Sequence, residues 1–280
     1  MGALTPCGVI SRRHDSDRFL CALFAPPGRR DHVFALIAFE HEIAKTRSVV
    51  SEPMLGQIRL QWWRDAIDSV FAGHPRKHEV VEGVDLAVRS AGLPRALFEG
   101  MIDARENELE GPPPDLQSLV RHADATGGAL AALWLHVLWP DRGGPPETAI
   151  AVARDAGAAF ALVGTLRAAA ALAAEGRQVI PTALLPETAR AQAQAGRDCA
   201  EIAAAAQQIL DVARARLAVT RNAAGDLPGS ARSAVLQAVL ARRYAAEIAR
   251  DEHRLFGRRR GAPSPWRPIW LAWAAARGRF

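Results

Sequence analysis

The sequence predicts an all-α fold in a single domain, on three observations. Turn signals cut the 280 residues into segments of helical length, and apolar residues within those segments recur three and four apart. The alternation expected of half-buried strands is almost absent. Hydrophobic residues make up 49% and charged residues 23%, which suits a sizeable core and excludes a disordered chain. No linker is long or polar enough to divide the chain, so residues 1–280 are read as one domain.

The breaks fall at Pro26-Pro27-Gly28, Gly73-His74-Pro75, Gly92-Leu93-Pro94, Gly111 to Pro114, Pro140 to Pro146, Pro181 to Pro186, Gly225 to Gly229 and Gly257 to Pro265. They leave room for about ten helices. Between the first two breaks lie a helix near 33–47 and a second with the stripe Leu55, Ile58, Trp62, Ala66 and Ser69. Pro94 is expected in a first helical turn, where its missing N–H costs nothing. Residues 155–175 are alanine-rich, and alanine favours helix above other residues. Leu236, Val239, Leu240, Tyr244 and Ile248 form a later stripe. The final segment carries Trp266, Trp270 and Trp273 at helical spacing beside Ile269.

Three cysteines (Cys7, Cys21 and Cys199) form no C-x-x-C pair, so a disulfide framework is not expected and a reducing cytoplasm fits best. The first residues lack the charged start and apolar stretch of a secretory signal. The longest apolar candidate for a membrane span, Ala156 to Ala174, is interrupted by Arg167. Of 35 basic residues all but Lys45 and Lys77 are arginine, against 30 acids, for a formal net charge of +5. That charge favours anionic surfaces without choosing one, and no zinc-finger spacing or basic-aromatic RNA motif points to nucleic acid.

Hydrolase, P-loop and dinucleotide fingerprints are all missing. His74 and His78 are four apart but lie at a Gly-Pro break, where solvated loop histidines are expected rather than zinc ligands. One stretch is distinctive: an Ala35-Leu36-Ile37-Ala38-Phe39 helix followed by Leu60-Gln61-Trp62-Trp63-Arg64-Asp65. With Gly92-Leu93-Pro94, Met101-Ile102-Asp103, Ala123 to Gly128 and Gly176-Arg177-Gln178-Val179-Ile180-Pro181, it resembles the squalene/phytoene synthase family over roughly residues 16 to 256.

That resemblance implies an isoprenoid-synthase-like helical bundle with a central cavity, in which helices near 33–47 and 155–175 face each other. It also implies head-to-head joining of isoprenoid diphosphates, with Mg²⁺ held by two aspartate-rich motifs. Mg²⁺ requires hard oxygen ligands, and carboxylates four apart share one helix face. The first motif aligns with Ala44-Lys45-Thr46-Arg47-Ser48, so its carboxylates fall on Ala44, Lys45 and Ser48. Those of the second fall on Ala168 and Leu172, within an acid-free run between Asp155 and Glu175. The amide positions ahead of it fall on Ala161 and Gly164. Asp65 with Asp68, Asp103 with Glu106, and Glu247 with Asp251 share helix faces, but are expected to be solvated acids near arginines. No catalytic, cofactor or metal residue is therefore assigned.

Asp17-Arg18-Phe19, His41 to Lys45, Val50-Ser51-Glu52 and Leu166-Arg167-Ala168 resemble the divergent branch that includes the mitochondrial respiratory complex I assembly factor. This implies a non-enzymatic assembly factor, cytoplasmic or peripheral at the inner face of the cell membrane, with membrane respiratory-complex subunits as partners. The alternatives are a head-to-head prenyltransferase with atypical Mg²⁺ ligands, or a carrier with an isoprenoid or lipid ligand. His41, Lys45, Arg167 and Arg177 are the candidate contacts for an anionic ligand or a partner. Residues 258–280, with Arg258, Arg259, Arg260, Arg267, Arg277, Arg279 and the three tryptophans, are the candidate contact for an anionic membrane surface. The competing expectation is that these tryptophans pack the last helix onto the bundle.

Overall fold

Proline and short polar side chains set where the helices start. In the computed structural model, Thr5, Asp15, His78 and Asp115 each accept a backbone N–H in a first helical turn, and Pro27 and Pro53 sit just inside helix starts. The structure describes residues 3–50, 52–141, 143–256 and 264–278. Its helices are α1 (Pro6–His14), α2 (Ser16–Ala22), α3 (Pro27–Ala44), α4 (Thr46–Val49), α5 (Pro53–Phe71), α6 (Glu79–Ala91) and α7 (Arg95–Asn107). They continue with α8 (Leu116–Ala123), α9 (Ala129–Leu138), α10 (Glu147–Ala174), α11 (Glu187–Gln194), α12 (Ala200–Ala223), α13 (Gln237–Arg250) and α14 (Arg267–Arg277). A π-helical turn, Asp124–Gly128, joins α8 to α9, and no strand occurs among the described residues. The all-α, single-domain expectation holds. The helices outnumber the ten expected because short turns such as α4 and α11 carry too little periodicity to register.

α10 is the structural axis. By length and composition it could cross a membrane, yet α8, α9, α12, α13 and the π turn all pack around it. Its approach to the π turn requires glycine on both sides. A Cβ on Gly157 would stand 2.1 Å from the carbonyl oxygen of Gly127, and one on Gly127 would stand 2.4 Å from that of Gly157. Neither backbone can yield without moving a helix. Arg216 of α12 secures the same junction, with Nη1 and Nη2 2.7 and 2.8 Å from the two Asp124 carboxylate oxygens and Nη1 3.0 Å from Asp155.

The stripe read on α5 is corrected in part: Ala66 and Ser69 are buried as read, and the other three positions are not. Leu60, Trp63, Ala66, Ile67 and Val70 face the core, whereas Leu55 and Ile58 are exposed, and Trp62 is 37% exposed against 2% for Trp63. The helix is apolar on two sides, so spacing alone cannot tell which side is buried. Trp63 packs edge-on against Phe39 of α3, with ring centroids 5.6 Å apart, and Phe39 meets Phe98 of α7 at 5.4 Å. The stripe on α13 fares better: Leu236, Val239, Leu240, Tyr244 and Ile248 are all buried. His78 is not a free loop histidine. It caps α6 and meets Trp62 and Trp63 edge-on, while His74 is exposed.

Because the α10 contact is backbone against backbone, Gly157→Ala should destabilise the fold by about 3 kcal/mol, the upper part of the usual range for overpacking. Chemical denaturation measures this. Gly164→Ala on the same helix serves as the control, because a Cβ there meets nothing within 4 Å.

Candidate functional site

A cavity of about 1000 Å³ opens between α3, α7, α8 and α10. Ala44 lines it from α3, and Phe160, Ala161, Gly164, Ala168 and Leu172 line it from α10. The two helices named from the sequence thus border one cavity, and the aligned positions Ala44, Ala168 and Leu172 stand on its wall. Ser48 does not. α3 ends at Ala44, Ser48 belongs to the separate turn α4, and its hydroxyl donates to the Lys45 carbonyl at 2.8 Å.

The four basic candidates divide. Arg177 lines the cavity, 3.7 Å from Glu175. His41 instead stacks on His14, with centroids 4.1 Å apart, and Lys45 is held by Glu42. Arg167 lies over the Tyr244 ring at 3.5 Å and reaches Asp17 at 3.4 Å. None of these three lines the cavity, because α3 and α10 turn them toward α1, α5 and α13.

The feature that sequence reading missed is a buried charge cluster on the cavity wall. Arg105 of α7 donates to Glu40 of α3, and to Glu108 at 2.9 Å, while its Nη1 lies 3.3 Å from Nε2 of His122 on α8. A guanidinium can only donate, so the neutral ring accepts there. Burial alone would raise Glu40, but the Arg105 and Arg18 guanidiniums outweigh it and hold the carboxyl below its ordinary value. Glu108 is likewise lowered, with the Arg105 guanidinium outweighing the effect of burial. Burial, reinforced by Arg105, lowers His122. Glu40 lies one turn before Ala44 on the same helix face, which was the only sequence signal available.

These residues do not fit Mg²⁺. α10 brings no carboxylate to the wall, Arg105 already occupies Glu40 and Glu108, and Arg64 binds Asp103 together with Glu106. No group of three or more His, Cys, Asp or Glu among the described residues could hold a metal ion. Asp65 and Asp68 are ion-paired too, with Arg76 at 3.1 Å and with Arg95 at 2.8 Å.

The family model described as squalene/phytoene synthase matches residues 11–267. The chain belongs to that family. Complex I assembly factor 6 of Bos taurus is 32% identical over 133 residues, which is 47% of this chain and 40% of that protein. The match therefore spans less than half of the curated relative. Squalene synthase HpnC from Alicyclobacillus acidocaldarius superposes with a TM-score of 0.77 at 17% identity, covering 89% of this chain and 94% of that one. A dehydrosqualene synthase solved with a ligand gives 0.80 at 15% identity, covering 97% and 94%. At such identities these structures establish the isoprenoid-synthase-like fold.

Removing the central cation tests the charge cluster. Arg105→Met should cost about 3 kcal/mol at neutral pH, because it strands the buried carboxylate of Glu40 and the half-buried one of Glu108. The deficit should shrink as pH falls and protonation neutralises Glu40 and Glu108. In the unaltered protein the folded His122 binds its proton less readily than the unfolded one, whose ordinary value is 6.5. Its contribution to stability is therefore complete above that pH and is lost as pH falls. His32, His41 and His136 are lowered in the same direction. Denaturation from pH 8 to 5 should show stability declining toward acid, with a shallower decline in His122→Gln.

Proposed function

We propose that this protein is a non-catalytic member of the squalene/phytoene synthase family that assists assembly of respiratory complex I. The observation that carries the reading is the cavity wall itself. Where a metal-dependent synthase needs oxygen ligands on two facing helices, the chain presents Ala44 on α3 and Ala168 and Leu172 on α10. Mg²⁺ would lose its hydration there without gaining hard ligands in return. The partial match to complex I assembly factor 6 supports the choice of complex. On this reading the protein works in the cytoplasm or at the inner face of the cell membrane, where subunits of the respiratory complex are its partners.

The test has two arms. Purified protein incubated with Mg²⁺ and farnesyl or geranylgeranyl diphosphate should yield no head-to-head product, and a squalene- or phytoene-type product would restore a prenyltransferase with atypical ligands. In a deletion strain, assembled complex I should fall while the other respiratory complexes hold. Unchanged complex I would remove the assembly role.

The cavity favours one further reading, a carrier of an isoprenoid or other lipid. Its volume of about 1000 Å³ is at the upper end of the usual small-molecule range. Mass spectrometry of organic extracts from purified protein should then show a stoichiometric lipid. Recovery of none removes the carrier reading without touching the assembly one.

A further inference from the structure

We infer that the outer face of α14, with the arginines beside it, docks on an anionic lipid surface. The proposal does not depend on the complex I reading. α14 is two-sided. Leu271 and Ala274 are buried against the body, and Arg267 is buried through its pairing with Asp17 and its hydrogen bond to Ser16 at 3.2 Å. Trp266, Ile269 and Trp273 point away from the body and are 60, 56 and 55% exposed. They recur three and four apart, so they share one face, and Arg277 continues it with its guanidinium 4.2 Å from the Trp273 ring centroid. Trp270 is the exception to the three-tryptophan expectation: it is half-buried, with Arg243 of α13 stacked on it at 4.4 Å. Packing therefore accounts for one of the three tryptophans and leaves two facing outward.

Charge selects the occupant. Arg243 and Arg277, the guanidiniums that stand against the α14 tryptophans, have no carboxylate partner among the described residues. Positive charge continues into the adjoining groove between α12 and α13, which Arg214, Arg221 and Arg242 line, and there burial first and the nearby arginines second push Arg242 below its ordinary value. After Glu252 the sequence has no acid at all. Arg258, Arg259, Arg260 and Arg279 lie outside the described residues and are not part of the proposed face. Two exposed tryptophans and an isoleucine on one side of a short helix, bordered by unpaired guanidiniums, suit the boundary between headgroups and acyl chains. There the indoles sit among glycerol and carbonyl groups while the arginines meet phosphates. Tryptophan and arginine are also common at protein interfaces, so binding to protein-free vesicles is what separates a lipid surface from an acidic protein.

Cosedimentation of the full chain with vesicles tests this. Vesicles containing about 30 mol% phosphatidylglycerol should bind the protein at about 50 mM NaCl and release much of it at about 500 mM, as screening shortens the Debye length. Pure phosphatidylcholine vesicles should bind it at least roughly tenfold less, since neutral headgroups give the arginines no net charge to meet. Trp266→Ser/Trp273→Ser should weaken binding to the anionic vesicles about tenfold or more. Arg243→Gln/Arg277→Gln, both exposed beside the α14 tryptophans, should also weaken it and reduce its salt dependence. Both pairs are to be checked for unchanged thermal midpoints, which their outward positions lead us to expect. Failure of the full chain to bind anionic vesicles at low salt would overturn the proposal. So would undiminished binding by a folded tryptophan double variant, because it would place the contact elsewhere.

Discussion

Arg105 stands between Glu40 and Glu108 with little water around it, and the cost of separating these charges constrains the cavity. Burying one carboxylate without a partner is expensive, and burying two against one guanidinium is tolerable only while the hydrogen bonds hold. The cluster draws on α3, α7 and α8, so the helices that border the cavity cannot shift independently. It also makes these acids poor metal ligands. A cation entering beside Glu40 would have to displace or lie against a guanidinium with no means of giving up its charge.

A second buried carboxylate fixes the other end of the chain. Asp17 of α2 accepts from Tyr244 of α13, with both oxygens 2.9 Å from the phenol, from Arg267 of α14, and from Arg167 of α10 at 3.4 Å. Burial and the Asp17 charge raise Tyr244, so its proton stays on the phenol and the hydrogen bond keeps its direction. Four helices therefore meet at one side chain. Arg167 is a member of this junction, which explains why the residue next to Ala168 does not turn into the cavity. The same junction sets the rotation of α14: once Arg267 is drawn inward, Trp266 and Trp273 must face out.

Fold class was legible because helix periodicity and proline breaks are local properties, and the Trp62-Trp63-Arg64-Asp65 element carried the family. Structure explains that element residue by residue. Trp63 fills the core, Arg64 holds Asp103 and Glu106, and Asp65 holds Arg76, leaving Trp62 at the surface with the Arg76 guanidinium 5.7 Å from its ring centroid. The positions of Ala44, Ala168 and Leu172 on the cavity wall were legible too, since helical register carries an alignment into space. The Arg105 cluster was not. Its members are 65, 3 and 17 residues from Arg105 in sequence, and nothing in spacing announces that three helices will bring them together. The same limit applies to His41, Lys45 and Arg167, whose contacts with His14, Glu42 and Asp17 lie away from the cavity lining. Charge can be read from sequence, but the partner that satisfies it is a tertiary property.

The molecule pairs its buried acids but not all of its guanidiniums. The buried acids Glu40, Glu108 and Asp17 each meet a guanidinium, and the α10 wall of the cavity carries no carboxylate. The same cavity is also lined by Arg18, Arg47, Arg121 and Arg177, and neither Arg47 nor Arg121 has a carboxylate partner among the described residues. Around α13 and α14 guanidiniums are likewise left without carboxylates, beside large apolar side chains in water. Leaving such groups exposed forgoes hydrophobic stabilisation of about 1.5–3 kcal/mol for each large side chain that burial would otherwise provide. A fold has no internal use for that arrangement, whereas a surface that receives an external partner does. The fold of the squalene/phytoene synthase family is thus kept here with its buried acids paired, while guanidiniums without carboxylates stand both on the cavity wall, at Arg47 and Arg121, and beside α14.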